Sequence, residues 1–151
     1  MSVVPGDDLV SQIDRYRATT WRWQRVIGER LTRSSTTYRT DPSKRYKLWV
    51  RELWRSRAHG AHRRAVNPPH YETWLCIHRY EGAWTDGGGP YYGGLQMDIG
   101  FQMRYGRGLF ARKGTADHWT PLEQIWTAER ALQAGRGFWP WPNTARACGV
   151  L

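Results

Sequence analysis

Cysteine is scarce in this chain of 151 residues, and long apolar runs are missing. Cys76 and Cys148 are too few for a four-ligand zinc site of their own. They leave two states open. One is a disulfide tying the start of the second half of the chain to its end, worth on the order of 4 kcal/mol in the chain-entropy model. The other is a pair of buried thiols, the norm in a reducing compartment. No segment approaches eighteen consecutive apolar residues, so no membrane span is expected. The N-terminal "MSVVPGDDLVSQIDRYR" carries two acids by position 8 and no apolar h-region. As written it does not read as a signal peptide. No internal repeat is visible.

Aromatic residues are plentiful, with ten tryptophans and eight tyrosines. Flat rings at this density serve a core and also stack on flat ligands such as sugars or bases. The net charge of +10 is uneven. Residues 1–70 hold 15 Lys/Arg against 6 Asp/Glu, and residues 71–151 hold 8 against 7. The basic half therefore suits an anionic partner, either nucleic acid, anionic lipid or an anionic wall polymer, or else serves solubility.

Periodicity places apolar residues of 9–31 on one helical face. The polar stretch 32–44 reads as a loop. A second, basic and Trp-bearing helix is expected over 45–66, ended by "NPP" at 67–69. The domain boundary is set there, giving a basic helical extension over 1–69 and a second domain over 70–151. In the latter, 70–81 reads as a helix and "GAWTDGGGP" as a loop or tight hairpin. "YYGGLQMDI" reads as a short strand or extended segment, and 100–114 as a short helix with a loop. Residues 121–134 form the clearest helix, with Thr120 as N-cap, Pro121 in the first turn, Glu123 completing a capping box and Gly135 at its end. The expected class is mainly α with a short β-hairpin (α+β).

Glu81 sits where the third helix meets the glycine-rich loop. Tyr80 precedes it and Trp84, Tyr91 and Tyr92 follow. A carboxylic acid sheltered by rings holds its proton more readily than one in water, as acid cleavage of a glycosidic bond requires. On pattern alone the same glutamate fits an ordinary surface charge. His59 and His62 lie three apart without a third ligand, and His70, His78 and His118 are scattered. No metal or cofactor is expected.

The ordered set "WLCIHRYEGAW", "YYGGLQ", "TADHWTPLEQIWTAERAL" and "GFWPWPNTARACGVL" resembles the resuscitation-promoting factors and related actinobacterial transglycosylase-like domains, over roughly residues 71–151. The resemblance implies a small lysozyme-like fold acting on peptidoglycan glycan strands outside the cell, secreted or wall-associated. It implies Glu81 as the catalytic acid and a Cys76–Cys148 disulfide. Two departures are visible: five positions separate Cys76 from Glu81, and the usual "ESGGNW" is shortened to "EGAW". Within this frame Trp84, Tyr91 and Tyr92 offer stacking faces or pack the hairpin, Gln96 offers an amide to an N-acetyl group, and Gly93 and Gly94 allow close backbone approach. Asp86 and Asp98 are the nearby second carboxylates, both expected to be structural. The chain is expected to be a monomer that meets anionic wall polymers through its basic half. Two alternatives stand beside the glycan-cleaving enzyme: a nucleic-acid-binding protein using the Arg- and Trp-rich first half, and a catalytically silent wall-binding module.

Overall fold

A computed structural model of the chain describes residues 5–151. Residues 1–4, part of the segment read for a leader, lie outside the described residues. The described chain is mainly helical and divides into two compact units at Val66/Asn67. This boundary lies three residues before the one expected at 69/70.

The first unit packs α1 (Pro5–Ile27) and α2 (Lys44–Ala65) side by side in the same direction, since Gln12 meets Arg51, Trp23 meets His62 and Glu29, just past α1, meets Arg64. The periodic pattern of the sequence runs past Ile27, but α1 stops there because Gly28 turns to a left-handed φ of 87°, which glycine adopts without a steric cost. The connecting loop is strapped to α1 by polar side chains. Gln24 is buried, donates to Thr32 Oγ1 at 2.8 Å and accepts from the Thr32 amide at 3.0 Å. Trp21 Nε1 donates to the Thr32 carbonyl at 2.8 Å. Ile13, Tyr38, Val50 and Trp54 form the core of this unit. Burial and a hydrogen bond to Asp14 push the Tyr38 phenol above its ordinary range.

The second unit contains α3 (Tyr71–Glu81), α4 (Ile99–Tyr105), α5 (Arg107–Lys113), α6 (Pro121–Ala131) and α7 (Pro142–Ala147). The capping box on α6 is present, with Thr120 and Glu123 exchanging side-chain-to-backbone bonds and Pro121 opening the helix. Helix α6 runs on into a π-helical turn over Leu132–Arg136, where Gly135 takes φ 98°. Pro142, which cannot continue a helix, instead starts α7, where its missing N–H costs nothing. The core joins Trp74 and Ile77 of α3 to Ile125 and Ala128 of α6, with Leu95, Phe101 and Trp141 between them. The Trp74 and Trp141 rings meet edge to face at 5.0 Å. Glu129 is buried in α6 and accepts from Trp74 Nε1 at 3.0 Å, with His70 Nδ1 at 2.9 Å. Arg130 donates from Nε to the Tyr105 carbonyl at 2.8 Å. Burial pushes its guanidinium down to about 10, which leaves it charged at neutral pH.

The short β-hairpin expected over 82–99 does not form. Among the described residues the segment makes a single antiparallel bridge, Tyr92 with Met97, whose amides and carbonyls exchange bonds at 3.0 Å. Gly93 at φ 77° and Gln96 at φ 50° turn the chain between those two residues, and the ladder goes no further outward because Asp98 caps α4 directly after Met97. The segment is held by long-range side-chain bonds instead of a strand partner.

The Glu81 corner, a candidate active site

Glu81 is the last residue of α3, and Gly82 leaves the helix in an extended conformation. The carboxylate is half-buried. Its Oε1 accepts a hydrogen bond from Thr144 Oγ1 at 2.9 Å. Thr144 belongs to α7, and α7 is fastened to α3 by the Cys76–Cys148 disulfide, with Cα atoms 6.0 Å apart. The bond lies five residues before Glu81 and four after Thr144. Thr144 and Cys148 share one face of the last helix by their i, i+4 spacing. One cross-link thus sets both the helix pair and the acid's hydrogen-bond partner.

The loop after Glu81 is built around Asp86 and Gln96. Asp86 Oδ1 accepts from the Gly88 amide at 3.1 Å, and Oδ2 accepts from Gln96 Nε2 at 2.8 Å. The Gly93 amide donates to the Asp86 carbonyl at 2.8 Å, and Gln96 Nε2 also donates to the Gly93 carbonyl at 3.0 Å. The Gln96 amide packs directly on Gly82, where a Cβ would lie 2.9 Å from Nε2. Gln96 is therefore brought beside the residue that follows the acid. Asp98 is the N-cap of α4 and accepts from the Phe101 amide at 2.7 Å. Both other loop carboxylates are thus spent on backbone and amide donors.

The aromatic residues divide. One face of Trp84 is covered by the His78 ring, stacked at 3.8 Å and 19°. Gly94 fits against that stack, since a Cβ there would lie 2.3 Å from Trp84 Cε3 and 2.6 Å from His78 Nδ1. Trp84 and Gly94 therefore join the loop to α3. Tyr92 is half-buried with its hydroxyl against Gly89. Tyr91 is 53% exposed, and so its ring has an open face.

Four residues not singled out by sequence reasoning build this corner. Gln124 of α6 is fully buried: it accepts from the Gly94 amide at 2.8 Å and donates to the Trp84 carbonyl at 2.9 Å and the Trp119 carbonyl at 3.1 Å. His78 pairs through Nδ1 with the Gly94 carbonyl at 3.0 Å. Trp141 Nε1 donates to the Leu95 carbonyl at 2.6 Å. Thr144 is the fourth. No group of three or more His, Cys, Asp or Glu side chains among the described residues is placed to hold a metal ion. No described helix is long and apolar enough to cross a membrane. No protein-family model, no curated protein and no solved structure matches the chain.

Proposed function

We propose that residues 67–151 are a lysozyme-like unit, akin to the resuscitation-promoting factors, that cuts the β-1,4 bond between N-acetylmuramic acid and N-acetylglucosamine in peptidoglycan. The single observation carrying this reading is a lone half-buried carboxylate at a helix end, held by a hydroxyl, with both neighbouring carboxylates already engaged. Retaining or inverting hydrolysis ordinarily asks for two carboxylates working together. One carboxylate is enough for a lytic transglycosylase, because the substrate supplies the nucleophile.

In that reaction Glu81 as the acid gives its proton to the bridging oxygen, and the C1–O bond breaks with positive charge building on the muramic ring. The resulting carboxylate takes the proton from the muramic C6 hydroxyl, whose oxygen bonds to C1. An anhydro ring forms, and Glu81 ends protonated as it began. Thr144 suits both halves of the cycle. Its hydroxyl donates to the carboxylate at 2.9 Å, and it accepts from the acid when its own hydrogen turns to the Trp141 carbonyl 3.4 Å away. Both Gln96 amide donors are tied down, so its oxygen is the group offered to an N-acetyl N–H. The open face of Tyr91 suits a sugar ring. The disulfide fits a working place in an oxidising compartment, as a secreted or wall-associated enzyme has.

The test is product analysis. Purified sacculi are incubated with the chain and the soluble muropeptides are read by mass spectrometry. Anhydro-muramic ends support the reading. Reducing ends without anhydro sugar point to a muramidase, and retention without release points to a silent wall-binding module.

A further inference from the structure

Helix α2 has two faces. Val50, Trp54, Ala58, Ala61 and Ala65 are buried. Arg45, Trp49, Glu52, Ser56, His59 and Arg63 follow one another by threes and fours along the opposite side, and all are exposed. The helix carries eight Lys/Arg and one acid. That acid, Glu52, already lies 3.3 Å from Arg51 and 3.8 Å from Arg55. The exposed face is therefore cationic, with no further acid on the helix to balance it. An open depression toward its C-terminal end is lined by Glu52, Arg55, Ser56, His59 and Arg63.

Exposed arginines alone would serve solubility. Trp49 does not fit that role. It exposes 61% of its surface at one end of the row, stacked on Tyr46 at 6.2 Å and 25°. An indole with most of its surface in water adds little to folding, and a flat ring on the same helix face as exposed arginines matches a polymer in which rings alternate with anionic groups. At about 1.5 Å per residue the row from Arg45 to Arg63 spans about 27 Å, room for several sugar units.

We propose that this face of α2 docks an anionic wall glycan, with sugar rings stacking on Trp49 and carboxylate or phosphodiester groups pairing with Arg45 and Arg55. The choice of a glycan over a nucleic acid rests on the reading of Glu81 as a glycan-cleaving acid; the exposed arginines and the exposed indole stand without it.

The experiment uses the full chain carrying Glu81→Gln, so that retention on purified sacculi is measured without cutting. Co-sedimentation at about 0.15 M salt compares this parent with two derivatives, one adding Trp49→Ala and one adding Arg45→Glu with Arg55→Glu. The substituted side chains are exposed, so far-UV circular dichroism is expected to stay unchanged. The charge-reversed chain is expected to need at least about tenfold more protein for half-saturation, given the usual worth of a basic side chain near a polyanionic surface. The Trp49 variant is expected to lose several-fold. Retention equal to the parent in both variants overturns the proposal. Displacement of the parent from sacculi by an equal mass of single-stranded oligonucleotide, but not by added soluble wall glycan, also overturns it and assigns the face to nucleic acid. Cleavage by the chain with native Glu81 is scored separately. A chain that cuts but ignores α2 substitutions loses only the docking face, and one that docks through α2 but never cuts loses only the enzymatic reading.

Discussion

Replacing Cys76 and Cys148 together by alanine removes the cross-link between α3 and α7. The bond spans 72 positions of sequence. Closing a loop of that size costs the unfolded chain about 4 kcal/mol at 25 °C. A unit the size of residues 67–151 is stable by roughly 4–13 kcal/mol in total, so the double variant forfeits a third of that or more. At about 4–8 °C per kcal/mol for a unit this small, its melting midpoint falls by roughly 15–30 °C. Scanning calorimetry reads the midpoint. Hydrogen exchange with peptide-level mass spectrometry shows where protection is lost, and the amides of α7 are expected to open first because the bond is the covalent tie that helix has to α3. A midpoint lower by less than about 5 °C, with α7 still protected, would refute the reasoning. It would mean that the packing of Trp141 and Ala145, with the hydrogen bonds of Thr144 and Trp141, fixes the last helix without the cross-link.

Four further substitutions at three positions probe the corner and its support. Glu129→Ala leaves the buried Trp74 indole N–H without its acceptor and opens a void, costing roughly 2–4 kcal/mol; the urea midpoint should fall with an unchanged slope, and an unmoved midpoint contradicts the assignment. Gly94→Ala puts a methyl into the Trp84–His78 stack and should cost about 1–3 kcal/mol with loss of near-UV circular dichroism from the separated rings. Thr144→Val should lower kcat on glycan about ten- to hundredfold with little change in KM. Thr144→Ser should restore it, because only the hydroxyl is in use; a serine variant as slow as the valine one would point to packing instead.

The helices were legible where local chemistry decides them. Apolar spacing located α1, the "NPP" stop bounded α2 and set the start of α3, and Thr120, Pro121 and Glu123 marked the start of α6. Even there the end of α1 was overrun, because Gly28 breaks a helix whose apolar pattern continues beyond it. The segment 82–99 does not form the expected hairpin because its order comes from far away. Gln124 reaches it from thirty positions along the chain and Trp141 from further still, and neither leaves a local mark. Glu81 stood out by its place between a helix and a glycine run. Thr144 did not, although its i, i+4 relation to Cys148 would have named it once the disulfide was assumed. Asp86 was legible as a turn residue, but its bond to Gln96 joins two positions ten apart in an irregular loop, a separation without periodicity to read.

The central claim is tested most directly by digesting one batch of sacculi with the native chain and with Glu81→Gln, side by side, and counting anhydro-muropeptides by mass spectrometry. The account predicts anhydro products from the native chain and none above background from the variant, with matching melting curves for the two proteins. Equal yields from both would contradict it and remove Glu81 from the chemistry.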